Sequence, residues 1–98
     1  MLLDLDFVFH DLDGNANTNQ NAGKLVASLL ATKPEGVDVA KASLWFPELH
    51  KNGKIELDKV DLESLEKFLK RQAEIPQQGI TVLAWSQLQA AIDKARQV

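Results

Sequence analysis

Leu2-Leu3-Asp4-Leu5-Asp6-Phe7-Val8-Phe9-His10 carries the alternation that decides the fold class. Leu3, Leu5, Phe7 and Phe9 recur at a period of two, the repeat of a pleated strand, and Asp4, Asp6, Val8 and His10 fall on the other face. A strand with one apolar face needs a second layer to bury it. Immediately downstream, Asp13-Gly14 supplies turn chemistry, so the chain can return through Asn15 to Gln20 as a hairpin. Asn15, Asn17, Asn19 and Asn21 compete with a ladder for main-chain groups, which leaves a loop and a short edge strand as equal readings of 15–20.

From Ala22 the apolar period changes to that of a helix. Ala22, Leu25, Val26, Leu29 and Leu30 make a stripe, entered from Asn19 or Asn21 as cap and stopped before Lys33-Pro34. A second helix takes Asp38 as cap, places Val37, Ala40, Leu44, Trp45 and Leu49 on one side, and closes near Asn52-Gly53. Pro47 within it predicts a kink, or a new turn with Pro47 at its first position. Residues 55–57 alternate briefly and predict a short strand beside residues 3–9. A third helix is expected from Asp61, with Val60 stapled to Leu65 and Leu62, Leu65, Phe68 and Leu69 buried, ending near Gln72. After Ile75-Pro76 and Gly79, Thr81 caps a fourth helix, with Ile80 stapled to Trp85 and a stripe of Val82, Trp85, Leu88, Ile92 and Ala95. The expected fold is one α+β domain over residues 1–98, a small antiparallel sheet covered by about four helices.

Composition narrows the function classes. With 98 residues and 45% apolar side chains the chain can build one core, and a second would be too small to hold. It has no cysteine, which removes disulfides and thiolate metal sites and suits a reducing, cytoplasmic setting. No apolar run approaches membrane-spanning length. The net charge of −3 is local: residues 1–32 hold Asp4, Asp6, Asp11 and Asp13 against Lys24, while elsewhere acids and bases cancel. Nucleic-acid binding needs clustered cations, and the nearest cluster, Lys67, Lys70 and Arg71, suits the C-terminal half of a solvated helix.

Phe7-Val8-Phe9-His10-Asp11-Leu12-Asp13-Gly14-Asn15 resembles the first motif of haloacid dehalogenase phosphatases and phosphotransferases. That resemblance implies Asp11 as nucleophile and Asp13 as general acid/base. Asn15 stands where the family usually has Thr or Val, and the rest of the chain reads as helices, without the later strands that carry the family's Ser/Thr, Lys and magnesium-binding acids. Aligned as an EF-hand loop with Gly14 at the sixth position, the same segment puts Phe9 first and Gln20 twelfth, which are not calcium ligands. His10 and His50 lack metal-ligand spacing. No catalytic, metal or cofactor residue is therefore expected.

Taken in order, Asp11-Leu12-Asp13-Gly14, Asn21-Ala22-Gly23-Lys24-Leu25, Lys41 to Trp45 and Leu49, Ile55-Glu56-Leu57-Asp58, Asp61-Leu62-Glu63, and Val82-Leu83-Ala84 through Gln87-Leu88 resemble a group of small uncharacterised proteins of bacteriophages and prophages. The resemblance implies a non-enzymatic protein that acts by binding others, in virion assembly or as a host-modulating accessory. Phosphotransfer at Asp11 and Asp13 is the alternative. Asp4, Asp6, Asp11 and Asp13 are the candidate surface for a protein partner, and a free strand edge beside them could also join two copies of the chain.

Overall fold

A computed structural model describes residues 1–32, 36–74 and 80–97. The chain is α+β, and its described strands form two antiparallel sheets of two strands each, with four helices. The opening alternation makes two strands, β1 (Leu2–Asp4) and β2 (Val8–His10), where the sequence predicts one. The break is a tight turn at Asp6: the Phe7 N–H donates to the Leu5 carbonyl at 2.9 Å, and the Asp6 N–H donates to Asp4 Oδ1 at 3.0 Å. A carboxylate one turn away offers the backbone a partner that competes with a ladder. The faces nevertheless stay as predicted, with Leu3, Leu5 and Phe9 buried and Phe7 half-buried against Phe9.

The asparagine-rich segment is a strand, β3 (Ala16–Asn21), paired with β2. Val8 faces Asn21 and His10 faces Ala16, so β3 bulges between these two pairings. Asn19 N–H donates to Asn17 Oδ1 at 3.3 Å within the bulge. α1 (Ala22–Thr32) follows without a linker. Its first amides are all satisfied: Ala22 by the Phe7 carbonyl at 2.8 Å, Gly23 by the Leu5 carbonyl at 2.9 Å and Lys24 by Asn21 Oδ1 at 3.2 Å. Asn21 is thus the cap. The buried line is Ala22, Val26 and Leu30 with Gly23 and Ala27, while Leu25 and Leu29 are only half-buried.

α2 (Val39–Asn52) starts at Asp38, whose Oδ1 accepts the Ala40 N–H at 2.8 Å. It ends at Gly53, where φ is +73° and the N–H reaches the Leu49 carbonyl at 3.0 Å. The helix runs past Pro47 as one element, so no new turn begins there. Ala42, Trp45 and Leu49 are buried, whereas Ala40 and Leu44 face solvent, against the predicted stripe. α1 packs closely on α2.

β4 (Lys54–Glu56) pairs with β1, Leu3 opposite Ile55. α3 (Lys59–Glu74) is capped by Asp58, which accepts the Asp61 N–H at 2.7 Å, so Asp61 is the third helical residue and not the cap. Val60 is consequently exposed and makes no staple; Leu57 and Leu62, both buried, occupy the staple positions. Thr81 caps α4 (Val82–Arg96), accepting the Ala84 N–H at 3.1 Å. Leu88, Ile92 and Ala95 are buried, but Val82, in the first turn and ahead of the packed face, is exposed. The helix stop expected at Lys33-Pro34 lies outside the described residues, and α3 runs on to Glu74, two residues past the end expected near Gln72.

The buried side chains form one cluster fed by every helix and by β1, β2 and β4. Removing a fully buried leucine from it, such as Leu49 or Leu65, costs about 2–5 kcal/mol. At its edge the Leu5 main chain joins two glycines: its N–H donates to the Gly53 carbonyl at 2.7 Å and its carbonyl accepts from Gly23. A Cβ on Gly53 would sit 2.8 Å from Asp6 Cβ, and one on Gly23 would sit 2.9 Å from Gly53 Cα. Arg96 grips Glu66 with both terminal guanidinium nitrogens and ties α4 to α3.

Candidate functional site

Asp4, Asp6, Asp11 and Asp13 are all exposed, as a partner surface requires. Two of the carboxylates also shape the backbone beneath them. Asp4 holds the Asp6 turn, and Asp11 Oδ1 accepts the N–H groups of Asp13 and Asn15, each at 2.9 Å. The Asp11 N–H and carbonyl bond Asn15 and Gly14 in turn, at 2.9 and 3.0 Å, and Gly14 adopts φ +86°. The hairpin tip is therefore a closed ring of hydrogen bonds with Leu12 at its apex, 89% exposed.

Asp4 and Asp6 border a groove of about 520 Å³ between β1 and α4. Leu2, Phe7 and Ala91 give it an apolar floor, and Lys94 stands on its opposite rim. Beyond Gln87 lies a second, smaller recess of about 150 Å³, between the hairpin and the start of α4, bordered by His10, Asp11, Asn17 and Thr81. Gln87 is a wall of both. Its side-chain amide donates to the His10 carbonyl at 2.8 Å, and its Oε1 accepts the His10 N–H at 2.9 Å. The structure thus gathers Asp4, Asp6 and Asp11 around two adjoining concavities, while Asp13 lies at the tip and borders neither.

A third concavity, about 650 Å³, lies between α1 and α2. Ala27, Ala31, Phe46 and Pro47 supply apolar surface, and Lys24 and His50 flank it. Sequence reasoning missed this groove, Gln87 and Leu12. Only Leu12 left a signal, as an apolar side chain in a turn between two acids, with no periodic stripe to join.

The acidic motif opens an antiparallel hairpin, whereas the dehalogenase resemblance implies a loop after a parallel strand. Among the described residues no group of three or more His, Asp or Glu side chains is placed to hold a metal ion. Lys67, Lys70 and Arg71 are exposed along α3 beside Glu74. Trp45 is buried and Trp85 half-buried. No described helix is long and apolar enough to cross a membrane. In comparisons with known proteins, no family model, curated protein or solved structure matches the chain.

Proposed function

We propose that the chain is a non-enzymatic protein-interaction module whose acidic side meets a partner with a basic surface. The observation that carries this reading is the groove between β1 and α4, where Asp4 and Asp6 stand at the rim of an apolar floor. Carboxylates at a rim steer a basic partner and set its orientation, and the apolar floor supplies the area that water leaves on contact. Asp11 and Asp13 extend the negative field along the hairpin. The resemblance to bacteriophage and prophage proteins directs the search for that partner to phage and host lysates, and a role in virion assembly or host modulation belongs to the same proposal.

The test is a capture experiment followed by kinetics. A protein retained by the wild-type chain is measured again with Asp4, Asp6 and Asp13 replaced by Asn. A slower association with a flattened salt dependence supports the acidic surface. An unchanged association rate places the contact on another face.

A further inference from the structure

We infer that the hairpin tip of one copy of this chain docks in the α1/α2 groove of a second copy. This contact is separate from the β1/α4 groove and does not depend on it. Leu12 is the most exposed large apolar side chain among the described residues, at 89%. A single exposed leucine is ordinary on a surface, and it becomes an effective anchor when a pocket receives it. The ring of hydrogen bonds through Asp11 holds the turn without any contribution from Leu12, so little ordering is left to be done on docking.

The receiving surface is read from charge and volume together. The tip presents one leucine between Asp11 and Asp13. The α1/α2 groove presents apolar Ala27, Ala31, Phe46 and Pro47 between Lys24 and His50, with no carboxylate among the described residues that line it. At about 650 Å³ it has room for a leucine side chain. The β1/α4 groove is also apolar, but Asp4 and Asp6 outnumber Lys94 at its rim and would repel the tip. Because tip and groove are different surfaces, the contact is head-to-tail, and repeated copies close a ring or extend a chain. One anchor and two charged flanks make a small interface, so association is weak and needs concentrated protein.

Sedimentation velocity from about 20 μM to about 1 mM tests it, a range that reaches contacts of roughly 4 kcal/mol. The wild-type chain is expected to sediment faster as concentration rises, and less so in high salt. Leu12→Ser removes the anchor, and Ala31→Glu or His50→Glu places a carboxylate in the groove; all three positions are exposed, so the fold should survive. Each variant alone is expected to remain monomeric. An equal mixture of Leu12→Ser with a groove variant should form a 1:1 dimer and nothing larger, since each supplies the surface the other lacks. A wild-type chain monomeric at about 1 mM overturns the inference. So does association that persists in Leu12→Ser, or a mixture that stays monomeric while both variants keep wild-type circular dichroism and melting.

Discussion

Gln87 on α4 and His10 on β2 are joined by two hydrogen bonds, the side-chain amide of one meeting both main-chain groups of the other. In an antiparallel pair every second residue turns its N–H and carbonyl away from its partner strand. Asp11 N–H bonds the Asn15 carbonyl across the hairpin, so its neighbour His10 points outward, to the side Gln87 occupies. A single glutamine thus does for this edge what another strand would do.

Gln87→Ala should leave both His10 groups without a protein partner and lower stability by about 1–2 kcal/mol. Gln87→Glu keeps an acceptor for the N–H but turns an oxygen toward the carbonyl, so it should not restore the loss. Denaturant midpoints and the exchange rate of the His10 amide measure both variants; a wild-type midpoint and exchange rate in Gln87→Ala would make the pair irrelevant to the fold.

Glu66 supplies a pH dependence. The Arg96 guanidinium holds its carboxyl below the ordinary value of 4.5, against the opposing pull of burial and with help from Gln89. A depressed carboxyl stabilises the fold above its unfolded pKa, and that contribution disappears as pH falls through the folded one. Glu66→Gln should therefore cost about 1 kcal/mol near pH 7. The gap between variant and wild type should close progressively below pH 4.5. A gap constant between pH 7 and pH 3 would refute the electrostatic account.

Gly53→Ala combines positive φ with a Cβ 2.8 Å from Asp6 Cβ. The expected loss is about 1–3 kcal/mol, with the Leu5 amide exchanging faster as the junction opens. Thermal melting and amide exchange check it, and an unshifted melting temperature would show that the β1–α2 junction yields without cost.

Asp11 separates a structural role from a chemical one. Asp11→Asn keeps an Oδ1 acceptor for Asp13 and Asn15, so the hairpin should stay intact; Asp11→Ala removes it and should cost about 1 kcal/mol. Neither variant should abolish hydrolysis of a phosphomonoester, since the proposed module performs none. Magnesium-dependent hydrolysis by the wild-type chain that vanishes in Asp11→Asn would establish the phosphotransfer reading instead.

What could be read from the sequence was local. Asp38 and Thr81 are caps because each bonds an amide two or three residues ahead, and Gly53 ends α2 by a conformation that glycine adopts freely. Asp58 and Asp61 both precede apolar residues at helical spacing, so only the bond between them shows which one caps. The mistaken stripe positions, Ala40, Leu44 and Val82, lie on helices whose neighbours decide how much of the apolar arc is covered, and periodicity does not contain that. Within the candidate surface, the four aspartates stood out by charge alone. Gln87 did not, because its partner lies 77 positions away and nothing about an isolated helical glutamine marks it.

The pairing of β1 with β4 bears on how the chain is made. Leu3 meets Ile55, so during synthesis the first strand emerges and waits for about fifty more residues before its partner exists. The hairpin and α1 can form in that interval, but β4, which pairs with Leu3, does not yet exist. An uncovered apolar strand on a crowded ribosome is an invitation to pair with the wrong chain, and Asp4 at its end and Asp6 in the turn that follows put negative charge beside it. The same two carboxylates that rim the finished groove thus charge the nascent segment before there is any groove to rim.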